Sequence, residues 1–269
     1  MLTYRMAAMV ARQRRASVIL PGIEPSLGAE TSYLKAEREM LRSMAAWVRE
    51  NVLPAYDRTA PVFAKDAMVR DVDEWVWSDL DNLTSRLVAA ATEMVRRVLR
   101  LESQRHTRSF MAAARRALGI DLSVVVREED LEAFLDLAGM RSANLITGLA
   151  DDVRKKIKDR TIAAVLSGDT SANLRKALAK EFGLADNRAK VIARDQISKV
   201  TSDLNKARHQ QAGITEYVWT TAHDERVRAL HRSLDGKRYA YGQQTGAEQG
   251  LPPGQPIMCR CIARAIVEF

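Results

Sequence analysis

The sequence predicts a mainly α protein with an extended helical N-terminal region and a small α+β module at its C-terminus. Three observations carry this. Apolar residues recur at three- and four-residue spacing through most of the chain up to Gly213, Gly residues followed by capping residues punctuate those runs, and beyond Gly213 the period shortens to two. With 269 residues, 46% of them apolar and 28% charged, the chain is large enough to bury a core without disulfides, which excludes wholesale disorder. Its two cysteines, Cys259 and Cys261, are one residue apart and cannot staple distant segments, so a disulfide-rich secreted scaffold is also excluded. No apolar run approaches the ~18–20 residues that span a bilayer, and residues 1–20 lack the apolar core of a signal peptide. Neither a membrane partner nor export by the general secretory route is expected.

Taken in order, the first segment is a basic arm over residues 1–30. Arg5, Arg12, Arg14 and Arg15 precede the first acidic residue, Glu24, and are candidate contacts for nucleic-acid phosphates, or else a frayed, solvated terminus. A helical region over 31–141 follows. Thr31 or Ser32 is placed to cap a helix whose face is Leu41, Met44, Ala45, Val48 and Val52, and which is expected to end before Pro54. Leu80, Leu83, Leu87, Ala90, Met94, Val98 and Leu101 mark a longer helix from about 71 to 102, and a short one over 106–118 should close at Gly119. Residues 121–127 are read as a connector, and the acidic run 128–130 as the first turn of the next helix.

The third segment is 142–269, with helices over 142–213 and a β-containing module over 214–269. A long helix from Ser142 should stop at Gly168, a second at Gly183, and a third, starting near Asp186, at Gly213. Tyr217 and Trp219 then alternate in a short strand, and 237–241 and 257–267 are further strand candidates. The net charge of +8 belongs to the two ends: residues 1–60 carry +3, 61–185 carry +1 and 186–269 carry +4. DNA contact is therefore an expectation for the termini, and the balanced middle is left for protein contacts.

The residues with most chemistry lie between Ala222 and Cys261. On one strand face, Cys259 and Cys261 would present two sulfurs, and His231 with one of His223, Asp224 or Asp235 would complete a tetrahedral zinc site. Two small buried hydrophobes and a hydrogen-bonded histidine would satisfy the same spacing. Catalysis has weaker support, because no complete set of carboxylates or histidines for a metal nuclease is visible, nor any phosphate-binding loop. Arg226, Arg228, Arg232 and Arg260 suit internal pairing with acidic residues as well as they suit DNA phosphates.

An ordered series through this region resembles the phage Mu F-like family of head morphogenesis proteins, also called the SPP1-type minor head proteins. It comprises Ile192-Ala193-Arg194-Asp195-Gln196, Leu204-Asn205, Ala212-Gly213, Trp219-Thr220, and Asp224-Glu225-Arg226-Val227-Arg228 ahead of His231. Leu234-Asp235-Gly236 and Pro253-Gly254 ahead of Cys259-Arg260-Cys261 complete it. Arg194, Gln196, Trp219, Arg228, Asp235, Gly236 and Arg260 are thus expected to be structural motif residues. The resemblance implies a minor capsid protein of a tailed phage or prophage, located in the virion head and, during assembly, in the host cytoplasm. Its implied partners are the portal protein or major capsid protein and double-stranded DNA bound non-specifically, with no small-molecule substrate. It implies no enzyme and supplies no catalytic residue, and no activity beyond the module is expected. The alternative is a metal-dependent nucleic-acid-processing enzyme centred on Asp224, His231 and the two cysteines.

Overall fold

The computed structural model describes residues 3–10, 16–59, 74–127 and 129–269. Among the described residues six helices, α1 (Leu27–Trp47), α2 (Leu53–Thr59), α3 (Glu74–Leu118), α4 (Glu132–Ser167), α5 (Ser171–Gln211) and α6 (Ala229–Arg232), are joined by β1 (Ser17–Ile19), β2 (Glu216–Thr220), β3 (Arg238–Ala240) and β4 (Ile262–Glu268). The mainly α class with a small α+β C-terminal module is what the structure shows. No helix among the described residues is long and apolar enough to cross a membrane. Two compact units emerge, each discontinuous in sequence: Met1–Glu30, Arg96–Gly139 and Arg194–Phe269 in one, Thr31–Val95 and Met140–Ala193 in the other. The segments 1–30, 31–141 and 142–269 describe how composition changes along the chain, and the unit boundaries fall inside α1, α3, α4 and α5.

Four local expectations are corrected. The helix expected to end before Pro54 instead widens into a π-turn over Val48–Val52 and continues as α2. Proline removes one N–H from the helical ladder and crowds the carbonyl four residues earlier, and a wider turn absorbs both effects. Asn51 Nδ2 donates to Trp47 O at 2.9 Å within that turn. The break expected between 102 and 106 is absent, because α3 runs through it. Its polar residues are buried and partnered: Glu102 accepts two bonds from Arg105, His106 donates to Asn205 Oδ1 at 3.0 Å, and Thr107 Oγ1 accepts from Arg208 at 2.9 Å. Gly183 does not end a helix either. Asp186, taken for a cap, instead forms a two-bond ion pair with Arg38 (2.6 and 3.1 Å) and bridges Lys190 at 2.9 Å, so α5 continues at the ~1 kcal/mol that a mid-helix glycine costs. Finally, the third strand begins at Ile262, so the two cysteines precede it.

The described residues of the second unit are almost all helical, its core including Tyr33, Met40, Met44, Val52, Tyr56, Leu80, Ile146 and Ile157. Tyr56 Oη reaches the carbonyls of Asp169 (2.6 Å) and Ala164 (3.1 Å), closing the C-terminal end of α4. Glu37 is fully buried without a hydrogen-bond partner among the described residues, and burial pushes its carboxyl up to about 8.

The first unit carries an antiparallel sheet of order β1-β4-β2-β3. In register, Tyr217 faces Ala265 and Trp219 faces Ala263, which puts both aromatic rings on the buried side of β2. The N-terminal segment supplies the edge strand β1, and Met6 packs in a cluster with Leu20, Phe110, Leu118, Ile214 and Val267. Tyr4 and Met6 N–H groups also donate to Gln211 and Ala212 carbonyls at the end of α5. Arg5 is exposed on this segment, while Arg12, Arg14 and Arg15 lie outside the described residues.

Two buried histidines tie this unit to pH. His106 is held down to about 4 and His209 to about 3, both chiefly by burial. Folded values below the unfolded value of 6.5 mean that the unfolded chain binds more protons. Stability is therefore lost as pH falls below about 6.5, at a slope approaching ~1.4 kcal/mol per pH unit for each histidine. His106→Gln should lower this slope by one proton's worth in urea melts between pH 6.5 and 4.5, the contribution of Glu37 cancelling in the difference. An unchanged slope would show that His106 titrates normally.

Candidate metal centre

The segment after β2 holds almost no regular structure, so its shape is set by side chains. Gly236 N–H donates to Trp219 O at 2.9 Å with Gly236 at φ +76, and Asp235 accepts from both Thr221 N–H (2.8 Å) and Thr221 Oγ1 (3.1 Å). This folds 221–236 back beside β2 and places His231 on the single turn α6. The long loop that follows is strapped to α5 by four residues. Asp195 Oδ1 accepts from Met258 N–H (2.9 Å), Ser202 Oγ donates to Pro253 O (2.7 Å), and Gln255 Nε2 donates to Lys199 O (3.3 Å) and Asp203 Oδ1 (2.6 Å). Gly254 crosses at φ +87, where a Cβ would lie 2.9 Å from Ser202 Cβ and 3.3 Å from Ser198 O. Gly254→Ala is expected to cost ~1–3 kcal/mol from the backbone conformation alone. Its check is a thermal melt with limited proteolysis of residues 242–258, and a variant as stable and resistant as the parent would contradict that packing.

The loop delivers Cys259 and Cys261 to His231. The two Sγ atoms lie 3.5 and 3.6 Å from His231 Nδ1, and the three ligand atoms fall within 4.8 Å of one another. All three residues are buried, 2–4% exposed. They pack with Trp219, Leu234 and Ala247, and the indole stands edge-on to the imidazole with centroids 5.4 Å apart. The far nitrogen of His231, Nε2, donates to Glu248 Oε2 at 2.6 Å, which orients the ring with Nδ1 toward the sulfurs. This bond also lowers the Glu248 carboxyl. The Cys261 thiol donates to Cys259, and with backbone N–H groups of Cys261 and Gly254 it brings Cys259 down to about 6, while Cys261 is pushed up by the same shared proton.

Asp224 is not among the gathered ligands. Its carboxylate is held in a two-bond pair with Arg260, which keeps it below the usual carboxylate range. His223 and Asp235 are also turned elsewhere, 3.6 Å from each other. Arg228 donates to Ile257 O at 2.6 Å and sits 3.4 Å from Glu248. Gln196 is buried on α5 beside Asp195, whose Oδ2 accepts from its Nε2 at 3.3 Å. Arg194, Arg226, Arg228 and Arg260 line a cavity of about 220 Å³ whose floor includes His231, Cys259 and Cys261. Residues scattered over 68 positions of sequence thus converge on one place, from Arg194 to Cys261.

Residues 155–264, which include all of these side chains, match the family described as Phage Mu protein F like protein. That stretch is similar to the phage Mu F-like family. A Haemophilus influenzae protein described only as an uncharacterized protein is 30% identical over 152 residues, which cover 56% of this chain and 33% of that relative. The chain therefore aligns with about a third of the length of that relative. No solved structure matches it. The Mu F-like match contains α5, the sheet strands β2 and β3, the loop strap and the whole His231–Cys259–Cys261 cluster. Sequence reasoning missed Glu248, 17 residues from His231 in a loop with no motif of its own, and the strap residue Ser202, while Asp195 stood in the motif series with no strap role assigned to it.

Proposed function

We propose that the chain is a head morphogenesis protein of a tailed phage or prophage, a minor capsid component that acts in procapsid assembly near the portal and contacts packaged DNA non-specifically. The observation that carries this is the Mu F-like match over residues 155–264, which contains the motif residues that build the strapped module. Arg194, Arg226 and the exposed Arg5 supply positive charge suited to phosphates without base readout. The portal or the major capsid protein is the protein partner in this reading, and the virion head its location. No small-molecule substrate and no catalytic step is required.

The cluster beside an arginine-lined cavity also raises the metal-dependent nucleic-acid enzyme. Against it, the Asp224 carboxylate that such chemistry would enlist is occupied by Arg260. Plasmid DNA incubated with the purified chain and divalent metals should stay intact. Cleavage abolished by His231→Ala would overturn the non-enzymatic reading. For DNA contact, retardation of duplex DNA at low salt should disappear at several hundred millimolar salt, and binding independent of salt would contradict a phosphate-driven mode.

A further inference from the structure

We infer that His231 Nδ1, Cys259 Sγ and Cys261 Sγ hold a zinc ion whose fourth coordination position opens into the arginine-lined cavity and is taken by an oxyanion. This stands independently of the assembly role. Zinc binds thiolate at ~2.3 Å and imidazole at ~2.0–2.1 Å in a tetrahedron, which places nitrogen and sulfur ligands about 3.6 Å apart. The two N···S separations, 3.5 and 3.6 Å, already have this value. The histidine is also held in the required orientation. Its Nε2–H is committed to Glu248, the carboxylate–histidine pairing that orients an imidazole and raises its basicity as a ligand.

The sulfurs are prepared in the same way. Backbone N–H groups of Gly254 and Cys261 converge on Cys259, the latter 3.4 Å from its Sγ, and the Trp219 indole N–H has no hydrogen-bond partner among the described residues. A nucleophilic role suits these cysteines poorly, since both are 4% exposed or less and Cys259 Sγ already accepts from the Cys261 N–H at 3.4 Å. A metal also answers a structural need. Between β2 and β4 the chain has only a four-residue helix, a three-residue strand and a three-residue 3-10 turn, too little regular structure to fix a long loop.

The ligand count and the charge around it define the fourth position. Among the described residues no further His, Cys, Asp or Glu joins the three. Two thiolates and a neutral imidazole cancel the charge of the ion. Of the four arginines at the cavity, Arg260 is paired with Asp224 and Arg228 with Glu248, whereas Arg194 and Arg226 form no ion pair among the described residues. The cavity is therefore cationic and adjoins an open metal position, an arrangement that selects an oxygen anion over water alone.

The full-length chain, purified without a metal-affinity tag and dialysed against metal-free buffer, should contain one zinc per chain by elemental analysis. The double variant Cys259→Ser with Cys261→Ser should contain none, with far-UV circular dichroism reporting whether its helices persist. Glu248→Gln should keep zinc at an affinity lowered about 10- to 100-fold, as loss of a carboxylate that orients a ligand imidazole does. If the cysteine variant fails to fold, cobalt reconstitution of the wild-type chain decides, because a tetrahedral two-thiolate site gives thiolate charge-transfer and intense visible bands. Inorganic phosphate should shift those visible bands, and Arg194→Ala should raise the phosphate concentration required. Absence of zinc together with absence of cobalt–thiolate bands overturns the site, and bands indifferent to phosphate overturn the open, anion-binding position.

Discussion

Arg208→Met is expected to destabilise the protein by ~3–5 kcal/mol, the cost of removing one partner from a buried charge network. Arg208 is 0% exposed and donates to Gln211 Oε1 (2.7 Å), Thr107 Oγ1 (2.9 Å) and the Arg127 carbonyl (2.7 Å), with Asp130 at 3.8 Å. Gln211 Nε2 in turn donates to Asp130 at 2.5 Å. Methionine matches the stem but leaves the Arg127 carbonyl and the Asp130 carboxylate short of donors. Urea unfolding at neutral pH measures the loss, and adding Asp130→Asn should recover part of it by removing the stranded charge. A loss below ~1 kcal/mol would place Arg208 in the class of solvated surface ion pairs.

Trp219→Ala is expected to cost a comparable ~3–5 kcal/mol, since it empties the largest fully buried side chain among the described residues. The indole packs with Leu234, Ala247, Cys259 and Cys261 and abuts both His231 and Tyr239. Its removal should loosen the loop over 242–258 while leaving most helical signal intact, because that cluster includes no residue of the long helices. Circular dichroism with limited proteolysis separates the two effects. Trp219→Phe, which fills most of the space, should retain more of the stability than alanine does. Equal losses for both substitutions would mean that the indole N–H, and not its volume, is what the site requires.

Much of the fold was legible because its signals are periodic. Tyr217 and Trp219 alternate where β2 forms, and Gly119, Gly168 and Gly213 adopt positive φ at helix ends, as the punctuation predicted. Glycine and polar runs misled where tertiary partners overrode them. Gly183 carries no positive φ, Asp186 is engaged by Arg38 and Lys190 instead of capping, and Glu102, Ser103, His106 and Thr107 of the polar stretch are buried. The strand β1 was invisible since three residues between a basic run and Pro21 hold no period, and pairing with β4 alone makes them a strand.

The candidate site divides in the same way. His231, Cys259 and Cys261 were identifiable from residue type, although the strand geometry invoked for the cysteines is replaced by a loop held through Asp195, Ser202 and Gly254. Asp224 was a reasonable fourth ligand by composition, and only the structure shows that Arg260 occupies it. Glu248 could not be found from spacing, because its role depends on a loop returning to α6 across 17 residues.

The proposal that this chain is a head component is tested most directly by the protein content of purified particles. Phage or prophage heads produced from the source genome should contain the chain at a few copies each, and deleting its gene should leave heads that assemble aberrantly or fail to retain DNA. DNA-filled, infectious heads that form normally without the chain would contradict the account.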